Sequence, residues 1–414
     1  MSKETERKLL IIGYVWPEPN SSAAGSRMMQ LIEVFLAENY QIVFATPAQE
    51  SEHRFPLEEL GVSVTGIELN SDSFDVFVQD LMPTVVLFDR FMMEEQFGWR
   101  VVQNCPEALR LLDTEDLHCL RKARHQALKE KRAFELSDLN SDIAKREVAS
   151  IYRCDLSLMI SNYEMELLEN HFKVPKEILY YLPFLLENTS EEEINKKPNF
   201  EERENFICVG SFLHEPNWDC VRFIKEEIWP RLRKNLPKAE MHVYGSYPTQ
   251  KAIQLHNPKE NFYIKGWADN AKEVVSNARV CLAPLRFGAG IKGKFVEAMY
   301  CGTPSITTEI GAESMQNGLP WNGFVTNDSD SIVEKAQELY TDKEIWLQSQ
   351  KNGVKIINKI FSKKQLSKQF IERFSELLAN KKAHRKNNFT GAMLLHHTMR
   401  STEYMSRWIS EKNK

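Results

Sequence analysis

The sequence predicts an α/β protein built from two tandem domains, each a doubly wound parallel sheet, facing each other across a central cleft. Three observations carry this. Short apolar runs alternate with stretches of helical spacing from Lys8 to Phe184. A polar, acidic stretch at 186–204 then has the composition of a linker. The alternation restarts at Asn205. With 414 residues the chain is long for one core and comfortable for two domains plus a tail. The expected bounds are 1–185 for the first domain, 186–204 for the linker, 205–360 for the second domain, and 361–414 for C-terminal helices and a basic tail packing back on the first domain.

Taken in order, KLLIIGYVW (8–16) is continuously apolar and too short for a helix, so it reads as a buried strand. The turn-rich segment 17–27 leads into a helical pattern that starts MMQLIEVFL. Further strand-like runs are QIVFATPA (41–48), VSVTGIEL (62–69), VVLFDR (85–90), ALRLLDTED (108–116), LSLMIS (156–161) and ILYYLPF (178–184). The charged stretch from His118 to Cys154 predicts two helices with a break near Ser137–Ser141. In the second domain NFICVGS (205–211), EMHVYGS (240–246) and NFYIKGW (261–267) are the runs preceding a short apolar stretch at Val280. Past Ser362 the pattern is helical.

Composition narrows the function. The net charge of −5 gives no overall attraction for nucleic acid or anionic lipid, so contact with either has to be local. The start lacks the apolar region and cleavage site of a secretory signal, and no run is long enough to span a membrane. Seven cysteines without a C-x-x-C pair suggest reduced, mostly buried thiols of a cytoplasmic protein rather than zinc or a disulfide frame.

The stretch VCLAPLRFGAGIKGKFVEAMYCGTPSITT (280–308) carries most of the chemistry. It reads as strand, glycine loop, helix, strand, with Gly288, Gly290 and Gly293 in the loop. Glycines let backbone amides approach an anion, and the helix that follows points its positive end at the same place. Arg286, Lys292 and Lys294 add charge around it. The alternative is a tight αβ connection with solvated basic residues.

In order and spacing, VGSFLHEPN, the strand ending in YGS, YIKGW with Asp269, the stretch just quoted and the late FS before a terminal helix resemble nucleotide-sugar glycosyltransferases of the two-Rossmann GT-B architecture, family 4, group 1. LLDTEDLHCLR and the pair Ser161 and Glu164 add to the resemblance in the first half. It implies a retaining transferase, with the sugar nucleotide in the second domain and the acceptor mainly in the first. On this basis Glu297 matches the glutamate that holds the ribose hydroxyls, placed in the first turn of its helix. Gly288, Gly290, Ile291 and Lys292 match the segment meeting the donor sugar and diphosphate. Arg286 and Lys292 would balance charge on the leaving group.

This sequence also departs from the pattern. Relatives have a second glutamate where Ala289 stands, so sugar recognition has to rely on backbone or on Glu309 and Glu313. The Arg and Lys that relatives place after the first strand of the second domain are missing from VGSFLHEPNWD. In the first domain Gly25, beside Ala24, sits where relatives have small residues under the donor phosphates. Arg27 is a candidate contact for an anionic acceptor or the diphosphate. Asp113 and His118 lie where cleft residues gather, and His118 is read either as a hydrogen-bond partner of the transferred sugar or as structural. Glu18 has no assigned role.

The expected reaction is sugar transfer from a nucleotide diphosphate to an acceptor hydroxyl of a glycan, lipid-linked molecule or protein, in glycan, polysaccharide or glycolipid synthesis, without metal or cofactor. The basic segment Lys381–Lys386 offers peripheral contact with a membrane, or is a solvated tail. Two rival readings are an NAD(P)-dependent oxidoreductase, since Gly288, Gly290 and Gly293 also fit G-x-G-x-x-G, and a non-catalytic binding protein of the same fold. Three strands precede that fingerprint, whereas a dehydrogenase places it after the first.

Overall fold

A computed structural model describes residues 7–412; the charged start at 1–6 and residues 413–414 lie outside the described residues. Lys8–Ile12 (β1), Gln41–Thr46 (β2), Ser63–Gly66 (β3), Val85–Asp89 (β4), Leu109–Asp113 (β5), Leu156–Met159 (β6) and Leu179–Tyr181 (β7) form one parallel sheet in the order β3-β2-β1-β4-β5-β6-β7. Continuous apolar runs suit this sheet because both of its faces are covered. Leu9 and Ile11 of β1 enter one core with Val85 and Leu87, while Leu10 and Ile12 enter the other with Val86 and Phe88. The strand stops at Ile12, short of the apolar run's end, and Tyr14 already donates its amide to Asp89 at 3.0 Å.

The second sheet comprises Glu204–Val209 (β8), Met241–Tyr244 (β9), Phe262–Gly266 (β10), Ala278–Leu282 (β11), Ser305–Thr307 (β12) and Gly323–Val325 (β13), all parallel, in the order β10-β9-β8-β11-β12-β13. Its apolar core is separate from the two that flank the first sheet. The polar stretch between the domains is ordered in part: Ser190 and Glu193 form a capping box that starts the helix Glu191–Asn195. The chain crosses between domains twice at one place. Leu186 donates to the Phe361 carbonyl and accepts from the Lys363 amide, both at 2.7 Å.

The stretch His118–Cys154 holds helices His118–Lys129 and Asp142–Arg153, with a wider break than its sequence suggests. Within it Arg132 reaches both carboxylate oxygens of Asp138 at 2.7 Å. Helices Lys363–Asn387 and Phe389–Lys412 lie on the first domain. Phe370 and Phe374 pack edge-on against Phe35 with centroids 5.9 and 5.4 Å away. The basic segment Lys381–Lys386 is the anchor. Lys381 reaches Glu107, His384 meets the Asp155 carbonyl at 2.7 Å, and Arg385 grips the Asp155 carboxylate at 2.7 Å. Lys381, His384 and Arg385 therefore face the protein, while Lys382 and Lys386 of the same segment are exposed. All seven cysteines are free and buried.

Candidate active site

The turn between β11 and the helix Gly293–Tyr300 projects from the second domain onto the first. Gly290 has φ +63, and a Cβ there would sit 2.8 Å from the Asp116 Cβ, so both conformation and space exclude a side chain. A Cβ on Gly293 would sit 2.6 Å from Ala23 at the start of the first-domain helix Ala23–Ala37. Gly25 lies in that same first turn and donates its amide to the capping Ser22 hydroxyl at 3.0 Å. The glycine turn and the loop after β1 therefore touch across the domain boundary.

The Gly290 amide is not free. It donates to the buried carboxylate of Glu164 at 2.8 Å, and the same oxygen accepts from the Leu117 amide at 3.0 Å. Burial, with Asp116 nearby, pushes Glu164 up to about 8, while Lys292 and the two amides oppose the shift. Among the described residues no acceptor meets the amides of Ile291 or Lys292. The Lys292 side chain is buried and folds back onto the Gly290 carbonyl at 2.8 Å. Burial lowers it to about 8 against the pull of Glu313 and Glu164.

Lys294, one helical position on, is half-buried and donates to Asn217 at 2.7 Å. His214 caps the helix Glu215–Phe223 and keeps solvent-exposed surface. Crowding by neighbouring atoms, with Arg121 and Lys294 nearby, lowers its pKa to about 4, and Asp116 opposes the shift.

Glu297 lies in the second turn of its helix, since Lys292 is the cap and Gly293 the first helical residue. The sequence reading of a first-turn carboxylate is corrected by one turn, which removes the helix start as its explanation. Glu297 is half-buried, makes no hydrogen bond among the described residues, and is raised by burial with Lys272 opposing. Lys272 belongs to the helix Ala271–Asn277, whose first residue lines a slot of about 30 Å3. Gly210, Ser211, Ser246 and Trp267 line the slot from the second domain, and Asn20 and Ser21 close it from the first.

Two predicted residues sit elsewhere. Arg27 and Asp113 form an ion pair 1% and 0% exposed, at 2.8 Å, and Arg27 also donates to the Leu182 carbonyl at 2.6 Å. This corrects the expectation that they face an acceptor: they are sealed within the first domain. Arg286 makes two bonds to Asp219, at 2.9 and 2.5 Å, and lies 4.7 Å from the Phe223 ring centroid. Its charge is already matched, at the rim of a wider groove shared with His125 and Trp218. Glu313 is held by Arg124 at 2.7 and 2.9 Å, and Arg124 also donates to the Gly288 carbonyl at 2.9 Å, tying the turn to the first domain. Glu309 is exposed and pairs with Asn327 at 2.9 Å.

His118 lies in the cleft wall, with its ring edge-on to Phe91 and Nε2 3.6 Å from Asp116. Burial lowers it to about 4 although Asp116 opposes, so it is neutral at neutral pH. Sequence reasoning missed several neighbours. Arg90 and Glu115, at the carboxyl ends of β4 and β5, adopt φ +68 and +61, which only the surrounding structure can hold. Glu18, given no role from sequence, accepts from Tyr247 Oη at 2.9 Å, and His53 stacks on Trp267 at 3.9 Å, so both clasp the rim of the slot. No pattern of period or spacing marks these four residues, because each is defined by a partner far along the chain.

Comparison with known proteins gives this geometry a class. Residues 203–342 match the family model described as Glycosyl transferases group 1. No curated protein matches the chain. Among solved structures, sucrose-phosphate synthase from Thermosynechococcus elongatus is 15% identical, with a TM-score of 0.66 over 90% of this chain and 99% of that one. TarM of S. aureus, solved with fondaparinux, α-GlcNAc-glycerol and UDP, is 8% identical, with a TM-score of 0.67 over 90% and 99%. HepE of Anabaena, solved with UDP and glucose, is 12% identical, with a TM-score of 0.66 over 89% and 99%. At such identities the likeness establishes the two-domain GT-B fold. The G-x-G-x-x-G fingerprint belongs to the group 1 domain, where it follows β11 rather than the domain's first strand. The chain is accordingly a glycosyltransferase of GT-B fold, with its group 1 domain at residues 203–342.

Proposed function

We propose that this glycosyltransferase moves a sugar from a nucleoside diphosphate donor to a hydroxyl of a glycan acceptor, keeping the anomeric configuration, in the assembly of a glycan or glycolipid. The observation that carries the reading is Glu297. It is a half-buried carboxylate with no hydrogen-bond partner among the described residues, facing the charge of Lys272, whose neighbour Ala271 lines a slot shared by both domains, and a vicinal diol can donate two hydrogen bonds to it. The amides of Ile291 and Lys292 and the side chains of Lys294 and His214 meet in the same cleft and suit a diphosphate whose charge grows as the sugar departs. Lys294 and His214 thus take the part that sequence reasoning gave to Arg286 and Lys292. Retention comes from the family resemblance and metal independence from the lack of a dedicated metal motif in the sequence, and both are part of the proposal. The slot is smaller than ordinary ligand cavities, so donor entry requires the domains to part about the Leu186–Lys363 crossing.

A screen of uridine, guanosine and adenosine diphosphate sugars by thermal melting and product analysis tests this. One nucleoside diphosphate is expected to raise Tm, NAD to leave it unchanged, and turnover to persist in EDTA with an axial or equatorial product linkage matching the donor. Glu297→Ala is expected to weaken donor binding about 10- to 100-fold, the worth of hydrogen bonds to a charged group, with Tm of the free protein unchanged. Stabilisation by NAD alone, or full donor affinity in the variant, would overturn the assignment.

A further inference from the structure

The wider groove at whose rim Arg286 lies takes no part in donor binding as proposed. It holds about 660 Å3, within the range of ligand clefts, and is walled by helix His118–Lys129 of the first domain and helix Glu215–Phe223 of the second. Both helices begin in the cleft: His118 opens the first, His214 caps the second, and the two histidines share Asp116 and Arg121 as neighbours. Along the first helix His125 and Leu128 continue the face of His118 and Arg121 at steps of three and four residues, and along the second Trp218 and Arg222 continue that of Glu215. The groove therefore leads away from the cleft, and at 1.5 Å per residue Lys129 stands about 16 Å along the axis from His118. Its walls are joined across the domain boundary. His125 stacks on Phe287 with centroids 4.2 Å apart, and its Nδ1 faces the Glu215 carboxylate at 3.1 Å.

The lining suits one class of ligand. Trp218 is half-buried in the wall, and among the described residues no ring or cation stacks on it, which leaves an indole face for the apolar side of a sugar ring. Four cations, Lys129, Lys131, Arg222 and Arg286, line the groove against two carboxylates, Glu215 and Asp219. Asp219 is taken by Arg286 and lies 3.6 Å from Arg222, which also has Glu226 at 3.9 Å. Lys129 and Lys131 form no ion pair among the described residues, and Glu130 between them is turned to Gln126 and Arg132, each at 2.7 Å. Their two charges are left for a ligand. We propose that this groove holds the body of the acceptor, an oligosaccharide bearing carboxylate, sulfate or phosphate groups, with its reacting end in the cleft. The proposal rests on the reading of this glycosyltransferase's donor site and adds the length and charge of the acceptor.

Binding of the full chain to an array of matched oligosaccharides, neutral, carboxylated, sulfated and phosphorylated, tests it without a donor. At least one anionic series is expected to bind about tenfold or more above its neutral counterpart, the worth of a hydrogen bond to a charged group, and to weaken with added salt. The arms separate the three anions. Lys129→Glu with Lys131→Glu is expected to abolish the preference for anionic members at unchanged Tm, because both side chains are exposed. Trp218→Leu, which keeps an apolar side chain against the core, is expected to weaken binding of neutral and anionic members alike. Absence of binding to every anionic series, equal binding of neutral and anionic members, or undiminished binding in the lysine variant would overturn the proposal. Anionic binding that depends on Trp218 and the two lysines in a chain that no nucleoside diphosphate stabilises would support the groove and overturn the donor site instead.

Discussion

The two domains treat charged residues at the carboxyl ends of their strands in opposite ways. In the first, Asp113 at the end of β5 is consumed by Arg27 of the helix Ala23–Ala37, a pair 1% and 0% exposed. In the second, Lys294 and Glu297 follow β11 half-buried, the one bonded only to a neutral amide and the other to nothing among the described residues. Both domains are parallel sheets with charged residues beyond their strands, and in the second Arg286 is matched by Asp219 while Lys294 and Glu297 are not matched by a charge. What separates a structural charge from a functional one is the partner, and partners are set by the tertiary fold.

The largest expected effect breaks the comparison on the first-domain side. Removing one member of a buried ion pair leaves the other charged and unsolvated, so Arg27→Met is expected to cost about 3–5 kcal/mol in urea denaturation. Replacing both partners, Arg27→Met with Asp113→Leu, is expected to recover most of that loss. Were Arg27 a ligand contact instead, the single variant would keep its stability and lose substrate affinity.

Legibility in the sequence followed the same division. Alternating apolar runs and helical stretches were enough for both sheets except the short edge strand β13, since burial on both faces writes itself as continuous apolar strands, as in β1 and β4. The glycine turn was legible because its constraint is local: a φ of +63 at Gly290 demands glycine whatever surrounds it. Glu297 was found through its motif, although its place in the helix was misjudged by a turn. Arg27 and Asp113 were misread because a strand-end charge in a cleft and one in a core look alike until the residue 86 positions away is known. Glu18 and His53 escaped for the same reason, and Glu164, quoted only for the resemblance, was given no role.

The next effect sharpens the contrast within the turn itself, between two lysines two positions apart. Lys292 is enclosed and folded onto Gly290, so Lys292→Ala is expected to act on the fold, lowering stability by about 1–3 kcal/mol as the Gly290 carbonyl loses its donor. Lys294 faces the cleft beside His214. Lys294→Ala is expected to leave Tm nearly unchanged and to lower kcat/KM about 10- to 100-fold, the scale of one charge-assisted bond to a diphosphate. Steady-state kinetics and denaturation on both variants separate the two roles, and an exchange of the two outcomes would return the leaving-group part to Lys292.

The smallest effect is a pH dependence centred on His118 and His214, which face each other across the domain boundary with Asp116 and Arg121 near both and Lys294 beside His214. Both have folded-state values of about 4 against an ordinary 6.5, so the folded protein binds fewer protons than the unfolded chain between those values. The stability they contribute is present above pH 6.5 and is lost as pH falls towards 4. His214 is open to solvent, so screening keeps its share modest. A diphosphate placed among Lys294 and His214 reverses the local sign and draws a proton onto the histidine. Binding measured by calorimetry near pH 5.5 in buffers of different ionisation enthalpy is therefore expected to show proton uptake that vanishes in His214→Asn. Uptake unchanged in that variant would place the diphosphate away from His214 and leave the glycine-turn amides as its main contact.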